Sequence, residues 1–109
     1  MKPRRTARWR KAPNELREEA LRPAPSLGYD RDTIAMYLIN RELYDIAEAQ
    51  LRRAIWLNPY EPKFKEHLTW CLYKQRRYAE AREWVAQVCA QPPVSEEAER
   101  LRAMLDAAK

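Results

Sequence analysis

The chain holds few side chains that could do chemistry. His67 is the only histidine, and no serine or cysteine nucleophile is evident beside it for the imidazole to activate. Gly28 is the only glycine, so the chain has no glycine-rich loop that could cradle a phosphate. The acidic runs REEA (residues 17–20) and SEEAE (residues 95–99) are typical of helix starts and solvated helix faces. These residue types predict no enzyme, no cofactor and no metal site.

The two cysteines, Cys71 and Cys89, favour a structural role. They do not form a C-x-x-C motif, and two cysteines cannot make a disulfide scaffold. Both lie in apolar helical sequence, where a free cysteine behaves as a small core residue. No apolar run approaches the roughly 20 residues that span a bilayer. We therefore predict a chain without a transmembrane segment in a reducing compartment, the cytoplasm.

Positive charge is concentrated at the start of the chain. Residues 1–13, MKPRRTARWRKAP, contain six basic residues and no acidic one, whereas the remaining 96 residues contain 15 basic and 16 acidic residues. Arginine pairs with phosphates and stacks on bases, and Trp9 adds a stacking surface, so this basic arm could bind nucleic acid. It could equally dock on an acidic partner protein or serve only as a solubilising tail. The candidate residues of the arm are Lys2, Arg4, Arg5, Arg8, Trp9, Arg10 and Lys11.

The rest of the chain repeats itself at an interval of 34 residues. LYDIAEAQLRRAIWLNP (residues 43–59) is echoed by RYAEAREWVAQVCAQPP (residues 77–93). A fixed period of this length is typical of stacked helical pairs. The paired positions are Ile34 and Leu68, Leu38 and Leu72, Tyr44 and Tyr78, Ala47 and Ala81, Leu51 and Val85, Ala54 and Val88, and Pro59 and Pro93.

These residues resemble the tetratricopeptide repeat (TPR) family. That resemblance implies two antiparallel helices per repeat, with Ala35 and Thr69 at the small position of the first helix. It also implies that Tyr44 and Tyr78 begin the second helices. The chain departs from the family pattern where Arg31 and Lys65 replace the early tryptophan, and where Glu42 and Arg76 replace the glycine between the helices.

Capping residues and prolines predict where the helices begin and end. We expect five helices over about 30–41, 45–57, 62–75, 79–90 and 96–107, with Asp30 and Ser95 as N-caps and Pro62 in a first turn. A short helix capped by Asn14 should precede them. The predicted class is all-α: two TPR-like antiparallel helical hairpins (a short α-solenoid) with a C-terminal capping helix and a short N-terminal helix and arm. The predicted boundaries are a basic arm (1–13), a short helix and linker (14–27), repeat 1 (28–61), repeat 2 (62–95) and a capping helix (96–109).

The resemblance implies a concave surface formed by the first helix of each repeat. Its positions here are Tyr29, Asp32, Met36, Ile39, Asn40, Lys63, Glu66, Trp70, Tyr73 and Lys74. The runs IAMYLI (residues 34–39) and LTWCLY (residues 68–73) are apolar nearly all round, more than one packed face requires.

We assign part of these two runs to internal contacts: Ile34, Ala35, Leu38, Leu68, Cys71 and Leu72. This leaves Met36, Ile39, Trp70 and Tyr73 as anchors for a partner, with Met36 beside Trp70 and Ile39 beside Tyr73. The alternative is that the N-terminal segment of the chain itself covers Trp70 and Tyr73.

The expected function is that of a non-catalytic protein–protein interaction module. Two repeats are fewer than the roughly three usually needed for stability, which favours a homodimer, or an adaptor or accessory subunit of a larger complex. Asp32 would repel a terminal carboxylate, so the clamp with which some TPR proteins hold a chain's C-terminus is not expected. The alternative is a nucleic-acid binding protein that acts through its basic arm.

Overall fold

The structure, a computed structural model, describes residues 13–108 and is all-helical over that range. This confirms the predicted all-α class, and the bounds of the five expected helices lie within one residue of those predicted. The six helices are α1 (Pro13–Leu21), α2 (Tyr29–Asn40), α3 (Tyr44–Leu57), α4 (Pro62–Lys74), α5 (Tyr78–Cys89) and α6 (Glu96–Ala107).

From α2 onward, helices that follow one another in the chain also pack on one another. The closest pairs are α2 with α3 and α4 with α5, each joined by a short turn. α3 packs on α4, and α5 packs on α6. The first helices also meet, since α4 contacts both α2 and α6. This arrangement is consistent with helical hairpins placed side by side.

The core contains small residues where the helices cross. Ala35, Ala47 and Ala81 are fully buried, and a larger side chain at these positions would push the helix axes apart. Larger apolar side chains complete the same cluster: Ile39, Leu51, Leu68, Leu72, Val85, Leu101 and Leu105. Because the core runs through all the helices from α2 to α6, it fixes the relative positions of α2, α4 and α6.

The turns inside the two hairpins share an unusual backbone conformation. Glu42 and Arg76 both have φ of 62°, in the left-handed region that favours glycine. Their backbone amides donate to the carbonyls of Ile39 and Tyr73, each at 2.9 Å. These are the two positions where this chain departs from the glycine of the TPR pattern, and the backbone there still adopts the conformation that glycine prefers.

The starts of the helices agree only in part with the prediction. Ser95 caps α6 as expected, since its Oγ accepts from the Ala98 amide at 3.0 Å. The prediction of Asp30 as the N-cap of α2 is wrong, because the N-cap is Gly28, with φ of 93°. Asn14 likewise lies inside α1 rather than ahead of it. In both cases the residue predicted to precede the helix, Asp30 or Asn14, lies inside its first turn.

The second hairpin is tied to the first by Glu48 of α3. Its carboxylate accepts from Arg77 Nη1 at 2.6 Å, from Arg52 Nε at 2.9 Å and from Gln75 Nε2 at 3.4 Å. Partial burial raises the pKa of Glu48, but the hydrogen bonds from Arg77 and Arg52 outweigh it and hold the pKa below its ordinary value. Glu48 is therefore charged near neutral pH and fastens α3 to the turn between α4 and α5.

Helix α1 is attached to the first hairpin mainly by polar contacts. Glu18 accepts from Arg31 Nη2 at 2.7 Å and from Arg53 Nη2 at 3.5 Å. The hydrogen bond from Arg31 is the largest cause of a lowered pKa for Glu18. After α1, Arg22 Nε donates to the Trp56 carbonyl at 3.0 Å. No residue of α1 is buried, so α1 adds little to the core.

Candidate binding cleft

A cleft opens where α2, α4 and α6 lie side by side. Its volume is about 460 Å³, within the range of pockets that hold a ligand or a side chain of a partner. One residue of α2, four of α4 and four of α6 form its walls. They are Met36, Lys63, Glu66, His67, Trp70, Glu97, Arg100, Leu101 and Met104.

An apolar strip crosses the cleft at the interval of the repeat. Met36, Trp70 and Met104 stand 34 residues apart on α2, α4 and α6, and each is half-buried. The Trp70 indole stacks on the Tyr73 ring, with centroids 5.8 Å apart and an interplanar angle of 11°. Methionine adapts its shape to a ligand and tryptophan gives a rigid apolar surface, so the strip suits the side chains of another protein.

A polar row with the same interval runs beside this strip. Asp32, Glu66 and Arg100 occupy equivalent positions on the three helices. Asp32 and Glu66 are each only 7% exposed. Asp32 Oδ1 lies 2.6 Å from His67 Nδ1, and Glu66 Oε2 accepts from Ser95 Oγ at 2.9 Å. Each carboxylate therefore has one oxygen held in place.

The remaining oxygens of these two acids have no hydrogen-bond partner among residues 13–108. Glu66 is a wall residue of the cleft, so its carboxylate can accept a hydrogen bond from a donor that enters there, whereas Asp32 lies behind His67 and is not a wall residue. At the rim, Arg100 Nη1 donates to Glu97 Oε1 at 2.8 Å, and this pair is well exposed. The cleft thus offers apolar surface together with a fixed acceptor.

Four of the predicted concave-surface residues line the cleft: Met36, Lys63, Glu66 and Trp70. Lys74 is exposed, with its ammonium 5.2 Å from the centre of the Trp70 ring. Tyr73 is half-buried, since its ring meets Trp70 on one side and Tyr78 on another.

Tyr73, Lys74 and Ile39 are not wall residues of the cleft, and Tyr29 and Asn40 lie at the two ends of α2. Tyr29 is exposed at the start of α2, where its hydroxyl donates to Glu61 at 2.7 Å and its ring meets the edge of Phe64. This hydrogen bond to Glu61 raises the pKa of Tyr29. Asn40 is exposed at the end of α2. Neither residue contributes to the cleft, whose α2 wall is formed by Met36.

The expectation that Ile39 is an exposed anchor is wrong. Ile39 is 3% exposed and belongs to the core, whereas Ile34, which we expected inside, is 47% exposed. The two residues exchange roles because Ile39 lies on the side of α2 that meets the core. Ile34 lies on the opposite side, which no hairpin precedes. Ile39 therefore cannot anchor a partner.

Helix α6 also forms a wall of the cleft, although its sequence predicts only a solvent-facing cap. Glu97, Arg100, Leu101 and Met104 all line the cleft. The signal was present in the spacing, because Met104 follows Trp70 by the 34 residues that separate Trp70 from Met36. One further step of the same interval would have added α6 to the predicted groove.

The other candidate groups are placed as follows. Cys71 is buried, and burial raises the pKa of its thiol to about 11, so the thiol is unreactive near neutral pH. Within residues 13–108, no three His, Cys, Asp or Glu side chains gather as a metal site requires. Over the same residues, no helix has the length and apolar character to cross a membrane. The basic arm, apart from its last residue, lies outside the described residues.

Comparison of the chain with models of protein families, with curated proteins and with solved structures gives no match. The nature of the site therefore has to be inferred from its own side chains. These are an apolar strip on three helices, the buried acid Glu66 with one open oxygen, Lys63, and an exposed ion pair at the rim.

Proposed function

We propose that this chain is a non-catalytic protein–protein interaction module built as a short TPR-like stack. In this proposal it serves as an adaptor or accessory subunit, and its cleft holds a segment of a partner protein. The apolar strip of Met36, Trp70 and Met104 is the observation that supports the proposal. These side chains are only half-buried, although Met36 and Trp70 pack against the buried core.

The chemistry of the cleft indicates the kind of segment that it would hold. An apolar side chain of the partner would lie against Trp70 and the two methionines. A backbone amide or a basic side chain beside it would donate to the open oxygen of Glu66. An acidic residue placed against Glu66 would be disfavoured, whereas one nearer Lys63 would meet a cation.

Selection from a random peptide library on the full chain tests this proposal. Selected peptides should combine an apolar residue with a neighbouring basic one, and a fluorescent copy should bind the wild type with micromolar affinity. Trp70→Ala and Met104→Ala should each weaken binding by at least about tenfold, the usual effect of removing an interface anchor. Circular dichroism should remain unchanged, since neither side chain belongs to the fully buried core.

Trp56→Ala is the matched control, because Trp56 is 42% exposed but lies outside the cleft. It should bind the selected peptides as the wild type does. Peptides that bind Trp70→Ala and the wild type equally would show that the cleft is not the binding site.

Nucleic-acid binding through the basic arm is the rival proposal, and salt separates the two. Six phosphate contacts would make log K fall with log salt at a slope of roughly −5 on duplex DNA. Removing the charges of the arm would abolish this dependence. Binding in the cleft should respond only weakly to salt, because most of its surface is apolar.

A further inference from the structure

A second apolar surface lies on the side of the first hairpin that faces away from the second. We define this N-terminal face by Ile34 and Tyr37 of α2 and Ile46 of α3, which are 47%, 58% and 53% exposed. Their adjacency follows from a hydrogen bond at 3.2 Å between Arg31 and Gln50, which joins α2 to α3. Ile34 lies one turn after Arg31 and Ile46 one turn before Gln50. Because the helices are antiparallel, both steps lead to the same end of the hairpin.

In the second hairpin, the positions equivalent to Ile34 and Tyr37 are buried. Leu68 and Cys71 follow Ile34 and Tyr37 by 34 residues, and both are fully buried. They are covered because α3 lies against them, and Cys71 Sγ donates to the Tyr44 carbonyl of α3 at 3.5 Å. The α2 part of the N-terminal face is therefore equivalent to a surface that is covered in the second hairpin, whereas no hairpin among residues 13–108 covers it.

Helix α1 covers only the part of this face that lies near Arg31 and Arg53. Glu18 contacts Arg31 and Arg53, and Arg22 reaches the end of α3 at Trp56. From Arg22 back to Glu18, the chain therefore runs from the end of α3 towards the start of α3. Pro13 precedes Glu18 by five residues, or about 7 Å of helix. The described part of the chain thus begins at about the level of Ile34.

Twelve residues precede Pro13, and their composition matches what the face lacks. Trp9 is their one aromatic residue, and a chain of four residues reaches up to about 14 Å. The same twelve residues contain six cations and no acid. At the edges of the face, three exposed carboxylates make no ion pair or side-chain hydrogen bond with a described residue: Asp30, Glu42 and Asp45. Arg41, also at this edge, donates to the Tyr37 hydroxyl.

We propose that the N-terminal arm docks on the N-terminal face of its own chain, with Trp9 against Ile34, Tyr37 and Ile46. The neighbouring arginines then lie near the three carboxylates. The arm in this role covers the positions on α2 that are equivalent to those that α3 covers in the second hairpin. The proposal is independent of the cleft, which lies on another side of α2, so either one can fail without the other.

A double-mutant cycle on the full-length protein tests this proposal. Trp9→Ala, Ile34→Ala and the double variant are unfolded in urea and compared with the wild type. The two substitutions should be coupled by at least about threefold in the unfolding equilibrium constant, as expected for residues in contact. The same cycle with Tyr60→Ala is the control, because Tyr60 is 62% exposed in the turn before α4. Trp9 and Tyr60 should be additive.

Three results would overturn the proposal. Additivity of Trp9 and Ile34 would show that they do not touch. Coupling of Trp9 to Met36 in place of Ile34 would put the arm in the cleft. Coupling that disappears on dilution would show that the face is covered by a second copy of the chain.

Discussion

Gly28 is the residue at which one added methyl group should damage the fold most clearly. With φ of 93°, Gly28 has a backbone conformation that costs an L-residue about 1–2 kcal/mol. A Cβ atom would also lie 2.8 Å from the Phe64 ring and 3.1 Å from the Ala54 carbonyl oxygen. Phe64 is fully buried and its ring also meets Tyr29, so a shift of the ring would disturb its packed neighbours.

These contributions set the expected size of the effect of Gly28→Ala. Overpacking of a full core typically costs about 1–3 kcal/mol. Reduced freedom of the unfolded chain returns about 0.4–1 kcal/mol. We therefore expect the free energy of unfolding to fall by about 2–4 kcal/mol. A urea titration followed by circular dichroism should show a lower midpoint with an unchanged slope.

Two further variants separate the backbone cost from the steric cost. Ser26→Ala, an exposed change in the same loop, should leave the midpoint within about 0.5 kcal/mol of the wild type. In a Phe64→Leu background, Gly28→Ala should cost less, because the smaller side chain removes the closest contact. A Gly28→Ala protein as stable as the wild type would refute the assignment of Gly28 as the strained start of α2.

Three other features of the fold can be tested separately: the conformation of the two turns, the pairing of Glu18 with Arg31, and the burial of Cys71. Glu42→Gly and Arg76→Gly should each raise the free energy of unfolding by up to about 1 kcal/mol, measured in urea, because both turns hold φ at 62°; a loss of stability would contradict this. Because Arg31 lowers the pKa of Glu18, their pairing stabilises the fold fully at pH values above the ordinary pKa of 4.5. This stabilisation is lost as the pH falls through the lower pKa of the folded state. The stability difference between wild type and Glu18→Gln should therefore be constant near neutral pH and shrink in acid. Cys71 should resist iodoacetamide in the native protein and react in urea, as mass spectrometry of the modified peptide would show, because burial raises its pKa to about 11.

The helices could be predicted because their signals are local. Pro62 and Ser95 mark helix starts by their own backbone and side-chain chemistry, and each lies where the sequence indicated. Tyr44 and Tyr78 likewise begin α3 and α5, at the same point of the repeat. Such features depend on a few neighbouring residues and not on the rest of the fold.

The choice between Ile34 and Ile39 could not be made in this way. Both are apolar residues of a helix that is apolar nearly all round, so their burial depends on which sides of α2 other helices cover. A periodic pattern gives the spacing of the faces but not the neighbour of each face. The first repeat of a stack is the place where this matters, because it has a neighbour on one side only.

The position of Met104 in the cleft wall was not predicted for a different reason. The outer positions of α6 are charged, and Arg102 and Glu99 form an exposed pair at 2.6 Å, so the helix resembles a cap. A cap and a cleft wall are compatible, because they use different sides of the same helix. The amphipathic pattern detects the first role, and the repeat interval detects the second.

The apolar strip and the helix crossings use different residues. Alanines seal the crossings, whereas Met36, Trp70 and Met104 make the strip. If the cleft holds a partner segment, as proposed, its preference can change by exchange of these three side chains while the buried alanines stay the same. The three strip positions can vary independently of the buried alanines between the helices.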